Sequence, residues 1–184
     1  SKKNKKLIED FKLVLRNRPV IINISSYFGH IWEVFANRVW IVTFLVFAEA
    51  SQPGNFIISI TLLATLVALI GVPASMLCGE ASILFGHERV IRTCMVVSVI
   101  VGIVVAFTTS APLWVIGTLA LLYGTTGYAD TGTINTATVS VANQEVRGAT
   151  MALHSCVGCA GGILASLAIG LTLQNFGGRA SANA

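Results

Sequence analysis

Residues 93–129 read TCMVVSVIVGIVVAFTTSAPLWVIGTLALLYGTTGYA and contain no charged side chain. About 20 apolar residues in a helix cross the hydrocarbon core of a bilayer, so this run is long enough for two crossings. Ser110, Ala111 and Pro112 interrupt it near its middle, and proline disfavours a continuous helix there. The stretch therefore predicts two successive transmembrane helices that are joined by a short turn.

The rest of the 184-residue chain has the same character, with 54% hydrophobic and 11% charged residues. Residues 50–79 and 148–178 also lack charged side chains when histidine is neutral. Their small and branched apolar residues do not alternate in polarity, which favours helices over barrel strands. We predict an all-α integral membrane protein, a polytopic bundle of about five transmembrane helices. The expected spans are residues 20–48, 55–84, 90–109, 112–140 and 149–174.

Basic residues are distributed unevenly between the predicted turns. Arg89 and Arg92 lie between the second and third spans and Arg147 between the fourth and fifth, whereas the turns near 49–54 and 109–112 have none. The positive-inside rule places the basic turns in the cytoplasm, and we expect the plasma (inner) membrane. Residues 1–19 are predicted to be a basic cytoplasmic linker on anionic lipid rather than a signal peptide. Residues 177–184 are expected to be a truncated tail.

A polar stripe follows the first predicted helix. At 100° per residue, Ser26, His30, Glu33 and Asn37 share one narrow face, and Arg38 lies beside it. An unpaired carboxylate near the bilayer midplane costs several kcal/mol, so Glu33 is expected to be paired, protonated or hydrated. The stripe predicts a water-accessible path for solute or protons. The alternative is a seam of structural hydrogen bonds between helices.

Two further patterns have mainly structural interpretations. Small residues recur at every fourth position of the fifth span, which predicts close helix packing; they are Gly158, Gly162, Ser166 and Gly170. Asp130 is expected near the cytoplasmic edge, either in an ion pair with Arg89 or as a solvated surface acid.

No sequence pattern indicates a catalytic, cofactor-binding or metal-binding site. Cys156 and Cys159 form a C-x-x-C in the middle of an apolar segment, which favours packing over a metal or redox site. No glycine-rich phosphate loop, nucleophile elbow or cluster of metal ligands is recognisable, so we predict neither an enzyme nor a cofactor nor a metal. The net charge of +4 is explained by the basic turns and does not indicate nucleic acid binding.

The segment GEASILFGHERVIR (79–92) resembles the loop signature of the major facilitator superfamily. Gly79, Gly86 and Arg89 stand at matching positions, whereas Ile83 and Leu84 replace the acid and base of that signature.

Two other segments resemble parts of the same family. NQEVRGATMALHS (143–155) looks like the link before its eleventh helix, and NRPVIINISSYFGHIWEVF (17–35) looks like the start of its seventh. The resemblance thus covers nearly the whole chain as helices seven to eleven of the family's fold.

This resemblance implies a secondary transporter that moves a small solute by alternating access, with protons as a possible coupling ion. It implies that the other, N-terminal half of the transporter is missing from this chain, and that the isolated chain does not transport. The path would be lined by Ser26, His30, Glu33, Asn37 and Arg38, with Glu33 or His30 carrying the proton. A cytoplasmic gate would comprise Gly79, Gly86, Arg89, Asp130 and Arg147. The alternative is a non-transporting receptor or assembly subunit of the membrane.

Overall fold

The computed structural model describes the backbone of residues 2–176 and the side chains of residues 7–175, so the predicted tail at 177–184 lies outside the described residues. All regular elements in this range are helices, which confirms the all-α prediction. They are α1 (Lys2–Arg16), α2 (Arg18–Ala50), α3 (Ile60–Leu69), α4 (Gly71–Phe85), α5 (His87–Ala106), α6 (Leu113–Ala129), α7 (Thr131–Val141) and α8 (Arg147–Phe176), with a 3-10 turn at Gln144–Val146.

Four helical stretches are long and apolar enough to cross a membrane, and they indicate membrane insertion. They are Arg18–Ala50, Ile60–Phe85, His87–Ala106 and Gln144–Asn175. The predicted span at residues 112–140 is instead divided at Asp130 into α6, of 17 residues, and α7, of 11 residues. Four of the five expected spans thus correspond to helical stretches that are long and apolar enough to cross a membrane, and the expected span at 112–140 is divided between α6 and α7.

A second interruption separates α3 from α4 at Ile70. Pro73 has no N–H to donate to the carbonyl of Leu69, so the helix loses a hydrogen bond at this point. Gly71 lies against Tyr128, because a Cβ on this glycine would stand 2.6 Å from the Cβ of the tyrosine. The two interrupted segments therefore meet close to their breaks.

The longest helices, α2 and α8, pack closely along their length. A Cβ on Gly158 would lie 2.3 Å from the Tyr27 ring, and one on Gly162 would lie 3.0 Å from the Phe35 ring. Gly170 of the same predicted stripe has open space around it. Only the first part of the stripe thus forms the contact between α2 and α8.

Helix α1 joins the bundle at the end where the basic turns lie. Val14 is 1% exposed and packs in a cluster with Val20 and Ile24 of α2 and with Ala142 and Val146. The segment predicted as a linker is therefore a helix, and one of its apolar residues is anchored in the protein.

Candidate functional site

A buried pair of ionisable side chains connects α2 to the interruption between α6 and α7. His30 Nδ1 lies 2.8 Å from Asp130 Oδ1, and the two side chains are 1% and 4% exposed. His30 Nε2 lies 2.9 Å from the hydroxyl of Thr131, the first residue of α7. The break in the helix thus places an acid and a hydroxyl on the two ring nitrogens of one histidine.

The hydroxyl of Thr131 has two hydrogen-bond acceptors within reach, so its orientation decides whether His30 Nε2 donates or accepts. Its hydroxyl also lies 2.8 Å from the carbonyl oxygen of Tyr128, and a hydroxyl has only one proton to donate. When Thr131 donates to that carbonyl, its hydroxyl oxygen accepts a hydrogen bond from His30 Nε2. When Thr131 donates to Nε2 instead, that nitrogen accepts. The two arrangements differ by a rotation of the Thr131 hydroxyl and by the role of Nε2 as donor or acceptor.

Glu33 lies one helical turn beyond His30 on the same face of α2. Its carboxylate accepts a hydrogen bond from the hydroxyl of Ser98 on α5, a residue that is 1% exposed. A Cβ on Gly127 of α6 would stand 3.6 Å from Glu33 Oε1, so the small residue gives the carboxylate room inside the bundle. We call His30, Asp130, Thr131, Glu33 and Ser98 the polar layer.

Arg38 and Asn37 follow the polar layer along α2. Arg38 Nε donates to the hydroxyl of Tyr128 at 3.2 Å, and its guanidinium lies 5.6 Å from the ring centroids of both Phe35 and Tyr128. Asn37 is 4% exposed, and its Oδ1 has no hydrogen-bond partner among the described residues.

The polar layer lies between two clefts along α2. The first, which we call the basic-end cleft, has a volume of about 530 Å³ and is lined by Pro19, Ile22, Asn23, Ser26, His87, Glu88, Ile91, Arg92, Met95, Ala137, Ser140 and Val141. The second, which we call the Arg38 cleft, has a volume of about 550 Å³ and is lined by Asn37, Arg38, Ile41, Val42, Thr61, Ala64, Thr65, Val67, Ala68 and Tyr128. The five residues predicted to line a path therefore divide into one at the first cleft, two in the polar layer and two at the second cleft.

Both predicted environments of Asp130 are wrong. Asp130 pairs with buried His30, not with Arg89, whose side chain is exposed. It is therefore also not a solvated surface acid.

Of the other residues of the predicted gate, Gly86 lies in a turn and the rest lie in helices. Gly86 has a φ of +86° between α4 and α5, a conformation that glycine adopts without strain. Arg89 and Arg147 are exposed at the starts of α5 and α8, and Gly79 is half-buried in α4. Asp130 is thus separated from this group by its burial in the polar layer.

A second buried histidine was missed by the sequence reasoning. His154 of α8 is 1% exposed and stacks on Tyr27, with ring centroids 3.8 Å apart. Its Nε2 lies 2.9 Å from Asn135 Oδ1. Tyr27 is held between His154 and the surface of Gly158, and its ring also stacks towards His30 at 6.1 Å. The only sequence signal was the position of Tyr27 beside the polar stripe.

The cysteines occupy two different environments. Cys78 and Cys94 are half-buried, and their sulfur atoms lie 3.6 Å apart across α4 and α5. Cys156 and Cys159 are exposed on α8. Within the described part of the chain, no group of three or more histidine, cysteine or acidic side chains is arranged to hold a metal ion.

Comparisons with protein-family models, curated proteins and solved structures find no match to the chain. The resemblance to the major facilitator superfamily therefore depends on the sequence motifs alone.

Proposed function

We propose that this chain forms part of a secondary transporter that moves a small solute by alternating access, coupled to protons. The observation that carries the proposal is the buried pair of His30 and Asp130, which lies between two clefts on one face of α2. Ionisable residues inside membranes are costly, and they commonly mark solute or proton pathways.

The geometry favours a role of the His30 and Asp130 pair in proton coupling over a purely structural role in holding the helices together. A buried ion pair stabilises a fold little compared with apolar residues of similar volume, so stability alone does not account for these two side chains. This pair also joins α2 to a helix break, and discontinuous helices are common at transporter sites. A residue at such a break can move without disrupting a continuous ladder of helix hydrogen bonds.

In the proposed cycle, Glu33 carries the proton and the ion pair of His30 and Asp130 holds one conformation. The Glu33 carboxylate accepts a hydrogen bond from Ser98 in the present arrangement. When Glu33 takes up a proton, its carboxyl group loses its charge and can itself donate a hydrogen bond. The contact between Glu33 of α2 and Ser98 of α5 therefore changes. Breaking the ion pair then lets α2 move relative to α6 and α7, so that the path closes at one cleft and opens at the other.

The proposal extends to the surroundings of the chain. The bundle would pack against the other half of a major-facilitator-type transporter, and Arg89, Arg92 and Arg147 would face the cytoplasm of a plasma (inner) membrane. The isolated chain would then have no complete cavity, and vesicles that contain it alone would show no solute flux.

Substituting Glu33 with glutamine tests the coupling. The full-length protein is reconstituted in vesicles, and uptake across a broad solute panel is measured with and without an imposed pH gradient. Wild-type uptake is expected to respond to the gradient, whereas Glu33→Gln should retain solute exchange and lose most of that response, because an amide cannot take up the proton.

Glu145→Gln is the matched control, since Glu145 is an exposed acid in the 3-10 turn at Gln144–Val146 and lines neither cleft. It should behave as wild type. Equal gradient dependence in Glu33→Gln and wild type would contradict the role of Glu33. A complete lack of flux, with polar-layer variants altering only assembly, would favour a receptor or assembly subunit.

A further inference from the structure

Arg38 is a charged residue deep within the longest helix. Helix α2 comprises 33 residues from Arg18 to Ala50, so Val34 is its midpoint. Arg38 lies four residues beyond, which is about 6 Å along the axis. A guanidinium at that depth requires partners or water. Its Nε donates to Tyr128, but none of the described carboxylates forms an ion pair with it.

Asn37 adds an unsatisfied acceptor beside this cation. Its amide oxygen is buried and has no hydrogen-bond partner among the described residues. A buried polar group that is left unpaired costs about 1–3 kcal/mol. Asn37 and Arg38 line the same cleft, and the threonines Thr61 and Thr65 line it from α3. The cleft thus combines an anion-binding group with an acceptor that lacks a donor.

We propose that the Arg38 cleft binds a small organic anion that carries hydroxyl groups, such as a hydroxycarboxylate. The carboxylate lies on the free N–H groups of Arg38, whose planar fork matches a carboxylate in two parallel hydrogen bonds. A hydroxyl group of the solute donates to Asn37. A neutral polyol leaves the cation without a counter-charge, and a simple fatty acid leaves the amide without a donor.

The size of the cleft and the nearby polar layer are consistent with this solute. The volume of the Arg38 cleft, about 550 Å³, lies within the usual range of small-molecule sites. Glu33 lies one turn before Asn37, so a proton on Glu33 removes a negative charge near the bound anion. This inference rests on the proposed function, because it names the substrate class of the same transporter.

Calorimetric titration of the purified full-length protein tests the binding without requiring transport. The probes are three six-carbon compounds: gluconate, which has both the carboxylate and the hydroxyl groups, hexanoate, which lacks the hydroxyl groups, and sorbitol, which lacks the charge. Gluconate is expected to bind at least tenfold more tightly than either. Arg38→Gln should weaken gluconate binding at least tenfold, and Asn37→Leu should remove most of its advantage over hexanoate.

Arg16→Gln is the matched control, because it removes an exposed arginine of α1 that lines neither cleft and should leave gluconate binding unchanged. Equal binding of sorbitol and gluconate, unchanged gluconate binding in Arg38→Gln, or no binding of any probe to the wild type would overturn the proposal. If Arg38→Gln fails to fold, Arg38→Lys keeps the charge without the fork and should bind gluconate more weakly. Wild-type affinity in Arg38→Lys would overturn the assigned contact.

Uptake measurements separate this inference from the proposed function. Gluconate binding that depends on Arg38, without any flux in vesicles, supports the site and overturns the transporter proposal. Gradient-driven uptake of a cation or a neutral sugar, without binding of gluconate, overturns the site and leaves the transporter proposal standing.

Discussion

Substituting Asp130 with asparagine is expected to abolish gradient-driven solute accumulation and to lower the unfolding temperature by about 10 °C. His30 would lose its carboxylate partner in a position where the two side chains are only 1% and 4% exposed. Removing one partner of a buried ion pair typically costs about 3–5 kcal/mol, since the other charge is left uncompensated. Thermal unfolding in detergent and pH-driven uptake in vesicles measure the two effects separately.

A double variant separates stability from coupling. His30→Gln combined with Asp130→Asn replaces the ion pair by two neutral amides and should recover much of the lost stability, as a non-additive cycle. It should not recover gradient-driven accumulation, because neither amide carries a charge that a proton can change. An unfolding temperature of Asp130→Asn equal to that of wild type would show that the pair does not hold α2 against the helix break.

Gly124→Leu is expected to prevent most of the protein from folding. A Cβ at this position would lie 2.6 Å from both the Cγ1 and the backbone oxygen of Val67, so α3 and α6 would have to separate. Adding even small groups to a packed core costs about 1–3 kcal/mol, and a leucine that displaces backbone costs more. Size-exclusion chromatography in detergent measures the folded, monodisperse fraction.

Gly170→Leu is the control for this substitution, because a Cβ on Gly170 meets no atom within 4 Å. Both variants add the same side chain to a helical glycine, so they share the change in helix propensity. The Gly170 variant should elute as wild type. Equal loss in both variants would mean that the contact between Gly124 and Val67 does not determine folding.

The helical architecture was largely predictable, because uncharged runs of about 20 residues have few stable forms in a bilayer. The interruption at Ile70 was also foreseeable from Gly71 and Pro73. The break at Asp130 was not, since residues 112–140 contain no proline beyond their start to mark it.

The sequence predicted which face of α2 forms the site better than it predicted how deeply the other site residues are buried. The polar face of α2 followed from helix periodicity, and its residues do lie along the two clefts and the polar layer. Asp130 was misplaced because α7 continues for 11 residues beyond it, about 16 Å, which moves it away from the helix end. His154 was missed because a single histidine in an apolar helix has no partner that sequence spacing can reveal.

Reciprocal accessibility of the two clefts tests the central claim of alternating access most directly. Ser26→Cys marks the basic-end cleft and Thr65→Cys marks the Arg38 cleft, each in a full-length background without native cysteines that still transports. Labelling by a membrane-impermeant maleimide is measured from each side of oriented vesicles, with and without a pH gradient. The account predicts that the two positions react from opposite sides and that the gradient raises one rate while it lowers the other. Labelling of both positions from the same side, or rates that ignore the gradient, would contradict it.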